Sequence, residues 1–170
     1  MPILTSACQN VKVLSVEGLS EAGAAWTDLV LEVFRVNGLL LEAGDALTLP
    51  VGLSSARWQV LGVVEHGPTP VPHIARTMGL TRQAVQQTVN ALVQDGFVQL
   101  TDNPHHRRAK LVSLTPKGQD ALAFVARRQA AWANQLGAPL DLRRLQSAVQ
   151  LLREVRQGLE HDQSERDPER

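Results

Sequence analysis

The sequence predicts a mainly α-helical fold with one small β-hairpin, and three observations carry that prediction. Apolar residues recur at spacings of three and four along most of the chain, the period of an amphipathic helix. Ser, Thr or Asp stands before these stretches, and Gly or Pro follows them. Two short apolar runs, 97–100 and 109–114, break the helical period, and a polar, basic segment at 101–108 joins them. The chain has 170 residues, of which 44% are hydrophobic, enough for one globular domain with helical extensions.

Residues 1–18 carry few helix signals and receive no assignment. Ser20 caps a first helix, and Glu21 suits its positive end. Leu29, Val30, Val33, Phe34, Val36 and Leu40 give its apolar stripe, which ends near Glu42. Residues 45–52 hold Pro50 and Gly52 and read as a loop. Ser54 or Ser55 caps a second helix with Trp58, Leu61 and Val64 on one side, and Gly67 and Pro68 stop it. A short helix over 73–78 follows Pro70 and Pro72. Gly79 and Leu80 turn the chain, and Thr81 caps a helix that Gly96 ends. The hairpin comes next. Thr115 and Pro116 then open a helix to about Leu136, with Pro at its first position. Asp141 caps a last helix bearing Leu142, Leu145, Val149, Leu152 and Val155.

Charge narrows the function classes. Lys plus Arg equals Asp plus Glu at 17, so the net charge is zero and a uniformly basic coat is excluded. The charges are segregated, however. Residues 1–69 hold three basic side chains against seven acids, whereas residues 70–118 hold six against two. His73, His105 and His106 fall in that second block. Tyr is absent and aromatics make up 4%, which argues against a base-stacking binder of single strands. A single cysteine, Cys8, excludes an intramolecular disulfide and a Cys-rich zinc module. The chain start lacks the basic and apolar regions of a secretory signal, and no apolar run reaches the length of a membrane span. The expected location is the cytoplasm.

Inside the basic block, a short helix, a glycine turn and a second helix make a helix-turn-helix. Val85, Val89 and Leu92 lie at i, i+4 and i+7 and face a core. Gln83, Gln87, Asn90 and Gln94 fall on the opposite side, with Gln86 at its edge. Surface helices usually carry Glu–Lys pairs; this face carries amides, which can form paired hydrogen bonds to adenine N6 and N7 in the major groove. Thr81 and Arg82 stand at the helix N-terminus, where backbone N–H groups favour a phosphate. The hairpin loop offers His105, His106, Arg107 and Arg108, and a narrow minor groove attracts inserted arginine. The competing reading is a plain amphipathic helix beside an incidentally charged loop.

The order helix, helix, IARTMGLTRQAVQQTVNALVQDGFVQL, TDNPHHRRAKLVSLTPKG, helix resembles the MarR family of winged-helix transcription regulators over about residues 20–160. Leu-Thr-Arg-Gln before the recognition helix, the Arg-Arg-Ala-Lys wing and the Leu-Thr-Pro-Lys-Gly exit occur together at the family's spacing. The resemblance implies a winged helix-turn-helix core flanked by long N- and C-terminal dimerisation helices. It implies a homodimer on double-stranded DNA with a pseudo-palindromic operator, usually repressing, and in many members released by small aromatic compounds. The family's wing arginine falls on Arg107; the preceding residue, often Asp in the family, is His106 here. The expected division is an undetermined segment 1–19, a dimerisation helix and loop 20–52, a DNA-binding lobe 53–115, C-terminal dimerisation helices 116–160, and a frayed charged tail 161–170.

Other chemistry finds less support. One branch of the family senses peroxide through an N-terminal cysteine whose thiolate is held by tyrosines; here Tyr is absent and no positive charge adjoins Cys8. The five histidines form no i, i+4 pair on one helix, so no metal site is expected. Trp26, Trp58 and Trp132 suit core or dimer burial; Trp26 and Trp58, with Arg57 for a carboxylate, are also candidate effector contacts. The sequence has no phosphate loop, nucleophile elbow or paired-carboxylate motif, so neither enzyme activity nor a cofactor is expected. The alternatives are a protein-interaction module on the same scaffold, or a redox- or metal-responsive regulator of the same fold.

Overall fold

The computed structural model describes residues 18–104 and 109–166. The chain divides into two units, one ending at Leu122 and the other starting at Ala123.

The first unit opens with α1 (Glu21–Thr48), capped by the Ser20 hydroxyl, which accepts the Gly23 N–H at 3.1 Å. The sequence suggests an end near Glu42 and a loop from Asp45. Instead the helix continues to Thr48 and tightens into a 3₁₀ turn, Leu49–Val51. The cause is tertiary. The Asp45 carboxylate accepts the backbone N–H of Ser55 at the start of the next helix. The buried Thr48 hydroxyl shares its proton between the carbonyls of Gly44 and Leu53, each at 2.9 Å. These partners lie outside the window of a local pattern, so they hold a helical turn that Pro50 and Gly52 argue against.

α2 (Ser55–Val64) follows with Ser54 at its cap, and it buries Val60, Leu61 and Val64. Past its end lies β1 (Thr69–Pro70), which the sequence does not announce, because two residues are too few to show alternation. α3 (Val71–Met78) starts slightly before the expected residue 73, with a proline in its first turn. Gly79 ends it at φ +64°, a left-handed conformation in which a side chain would be strained. α4 (Arg82–Gln94) is capped by Thr81, whose hydroxyl accepts the Ala84 N–H at 3.2 Å. β2 (Val98–Thr101) and β3 (Leu111–Leu114) form the hairpin arms.

Among the described residues the three strands make one antiparallel sheet in the order β1–β3–β2. Thr69 pairs with Val112, and Leu100 also pairs with Val112 from the other side. The core lies beneath it. Leu61 of α2, Ile74 of α3, Val85, Val89 and Leu92 of α4, and Val112 of β3 are all buried at 0–1% exposure. Ala121 and Leu122, from the first part of α5 (Pro116–Gly137), join the same cluster. The helix-turn-helix is therefore anchored on its inner side by a continuous apolar core, which leaves its outer side free to be polar.

The second unit holds the rest of α5 and α6 (Leu142–Arg166). The Asp141 carboxylate accepts the Arg144 N–H at 2.9 Å and caps α6. The sequence predicts fraying from His161, yet the helix runs to Arg166. Side-chain pairs one turn apart bridge that stretch: His161 with Glu165 and Asp162 with Arg166, each at 3.2 Å. Among the described residues no helix is long and apolar enough to cross a membrane.

Candidate nucleic-acid interface

Recognition begins with how α4 is held. Its inner positions, Val85, Val89 and Leu92, are fully packed. A helix pinned on that stripe must turn the opposite stripe outward, and Gln83, Gln86, Gln87, Asn90 and Gln94 are all exposed. Thr81 and Arg82 are exposed at its N-terminus. The structure thus brings the sequence-predicted helix residues onto one solvent face. One contact within that face is specific: the Gln86 Nε2 donates to Asn90 Oδ1 at 2.8 Å.

Beside this face runs an open cleft lined by Val71 and Pro72 of α3, Arg82, Gln83 and Gln86 of α4, Leu100 of β2, and Ala109 and Lys110. Lys110 was not singled out by sequence reasoning, although it belongs to the Arg-Arg-Ala-Lys run. It pairs with Asp102 at 3.0 Å across the two arms of the hairpin. The pair neutralises one acid of a block that has only two. The wing-tip candidates His105, His106, Arg107 and Arg108 lie outside the described residues, as does Cys8.

The C-terminal end of α4 is clamped from two sides. Arg57 of α2 places Nη1 2.7 Å from the Asp95 carboxylate. Lys117 of α5 donates its ammonium to the Asp95 carbonyl at 2.7 Å and lies 4.3 Å from the centre of the Phe97 ring. Thr115 donates its hydroxyl to the carbonyls of Gly96 and Phe97 at 2.7 and 3.0 Å. At Gly118 a Cβ would run into the Phe97 carbonyl oxygen, so only glycine lets α5 come this close. The Thr-Pro-Lys-Gly exit is thus the lock that fixes the end of the recognition helix. The other acid of the block, Asp95, is committed to this lock and not to the outer face.

The clamp also gives Arg57 a carboxylate partner within the protein, Asp95, so a ligand carboxylate at this guanidinium would meet an occupied cation. Trp58 is half-buried against the core, whereas Trp26 on α1 is 43% exposed. Among the described residues no group of three or more His, Cys, Asp or Glu side chains is arranged to hold a metal ion.

A helix-turn-helix followed by a two-armed hairpin, with the amide face outward and Lys110 of the hairpin beside it, defines a winged-helix DNA-binding protein. Known proteins agree. A sequence model of the MarR family matches residues 51–109. An uncharacterized protein of Mycobacterium tuberculosis, Rv2011c, is 38% identical over 127 residues, covering 75% of this chain and 89% of that protein. Sco5413, a MarR-family transcriptional regulator from Streptomyces coelicolor, is 26% identical with a TM-score of 0.70, over 82% of this chain and 98% of that one. The M. tuberculosis regulator MosR, whose structure was solved in complex with DNA, shares the fold at a TM-score of 0.65. It is 21% identical, over 76% of this chain and 96% of that one. The chain belongs to the MarR family and is a DNA-binding transcriptional regulator.

Proposed function

We propose that this protein is a homodimeric, sequence-specific reader of duplex DNA that represses from a pseudo-palindromic operator and is released by a small aromatic effector. The observation that carries the reading is the outer face of α4, which presents five exposed amides and no acid, opposite a fully packed apolar stripe. In this reading Gln83, Gln86 and Gln87 approach base edges in the major groove, and Asn90 stands among them on the same DNA-facing side. Thr81 and Arg82 meet phosphate at the helix N-terminus. His105, His106, Arg107 and Arg108 at the wing tip serve the minor groove.

The dimer is supported by apolar side chains left bare. On α1, Phe34 and Leu39 are each 67% exposed, and Leu142, Leu145, Val149 and Leu152 stand exposed along α6. Apolar rows of that length on soluble proteins mark interaction surfaces. For the effector, Trp26 and Trp58 are the candidate aromatic contacts. A carboxylate that engaged Arg57 would compete with Asp95 and loosen the end of α4, which is a direct route from ligand to weakened DNA affinity. Footprinting on DNA flanking the protein's own gene tests the central reading. Protection of two half-sites related by a dyad is expected, and protection of none would overturn it. For release, aromatic carboxylates should quench Trp fluorescence and lower operator affinity together; a panel that moved neither would remove the effector from the proposal.

A further inference from the structure

We infer that Asn90 is a positioning residue that fixes the amide of Gln86, so that Gln86 reads adenine; the inference rests on the DNA-reading function proposed above. The two side chains stand one turn apart on the exposed face of α4, joined by the 2.8 Å hydrogen bond from Gln86 Nε2 to Asn90 Oδ1. A primary amide has two N–H donors and one carbonyl acceptor. With one donor given to Asn90, Gln86 retains its Oε1 and the N–H beside it, an acceptor and a donor along one edge.

That edge selects among the bases. Adenine offers the N6 donor next to the N7 acceptor and satisfies both atoms. Guanine offers two acceptors, O6 and N7, and would set one of them against Oε1. Thymine offers an acceptor and a methyl group, and cytosine a lone donor, so each leaves half of the amide edge unmet. An unlinked glutamine could give both N–H groups of its amide to guanine O6 and N7; the bond to Asn90 takes one of them and leaves a single donor for the base. Among the described residues of the basic block no carboxylate competes for the Gln86 amide, because Asp95 is taken by Arg57 and Asp102 by Lys110.

The test uses the full chain and a random duplex library. Motifs are selected with the wild type, Gln86→Ala, Asn90→Ala, the double variant and Asn90→Asp. Each of the four bases at the affected position is then compared by competition binding. The wild type should prefer adenine at one position of each half-site by about tenfold or more. Gln86→Ala and Asn90→Ala should both lose that preference at the same position, and the double variant should lose no more than either, the signature of two residues acting as one. Asn90→Asp keeps the acceptor oxygen and adds a charge, so the adenine preference should survive while affinity for every sequence falls. Selection of guanine at that position, additive losses, loss at different positions, or loss of the preference in Asn90→Asp would overturn the inference. A wild type that selects no motif at all would instead overturn the DNA-reading function beneath it. Both residues are exposed, so thermal melts of the variants should match the wild type and confirm that binding, not folding, is measured.

Discussion

Leu92 and Gln87 sit on opposite sides of one helix and should respond oppositely to alanine. Leu92 is fully buried among α2, α3 and β-sheet side chains. Leu92→Ala removes that packing and leaves a cavity, so it should destabilise the fold by roughly 2–5 kcal/mol, read as a lowered midpoint in urea. Gln87 is exposed, and Gln87→Ala should leave that midpoint in place. Instead it should weaken operator binding and relax the preference at one position of each half-site, by about 1–3 kcal/mol if the amide pairs with a base. Non-specific DNA binding should barely move. An equal loss on operator and scrambled duplex would show that Gln87 reads no base. Gly118 provides the backbone counterpart. Gly118→Ala would push a methyl into the Phe97 carbonyl, and overpacking of this kind costs about 1–3 kcal/mol. Because the displaced atoms lie just past the end of α4, DNA affinity should fall as well.

At the scale of elements, α4 owes its placement to its two ends as much as to its buried stripe. Thr81 caps one end, and Thr81→Ala should cost about 1 kcal/mol. Asp95 at the other end is gripped by Arg57 and Lys117. Arg57→Ala breaks a partly exposed ion pair and should cost no more than about 1 kcal/mol of stability. Its larger effect should be on DNA binding, since it removes one of the two anchors of the recognition helix. A variant with unchanged operator affinity would show that Lys117 suffices. The helix-turn-helix was legible because its signals are local: a cap at Thr81, Gly79 and Gly96 at the stops, and an apolar period between them. The amide face was legible for the same reason, as the complement of that period. What stayed hidden depends on partners distant in the chain. The last turns of α1 are held by Ser55 and Leu53, β1 exists only because β3 pairs with it, and Arg57 finds Asp95 across 38 residues. No pattern within one segment encodes such contacts. The helical stretch beyond His161 was missed for another reason: its side chains favour the helix through polar pairs one turn apart rather than an apolar stripe.

For the whole molecule, the segregation of charge and of bare apolar surface makes a joint prediction about assembly and salt. Two long helices each leave leucines and other apolar residues exposed, and covering them by a second copy would generate a two-fold dimer with two recognition helices. Light scattering should give twice the 18.5 kDa chain mass, and a monomer at micromolar concentration would defeat the dimer. Two such helices on one duplex face require half-sites centred about 10–10.5 base pairs apart, so inserting about five base pairs, half a helical turn, between the half-sites should abolish tight binding. Net charge is zero, so DNA attraction should come mainly from the basic block, and each neutralised phosphate should weigh heavily. In the proposed reading this depends most on Arg107, the residue the family resemblance places in the wing. Arg107→Ala should weaken binding to operator and to A·T-rich competitor alike, because an arginine on phosphate or in the minor groove reads little base information. It should also lower the slope of log affinity against log salt by about one unit for each phosphate left unneutralised. Gln87→Ala should leave that slope unchanged, since an uncharged amide releases no counterion. A salt titration of both variants on operator and scrambled duplex separates the two roles. If Arg107→Ala left both affinities and both slopes unchanged, the wing would not touch DNA, and recognition would rest on α4 alone.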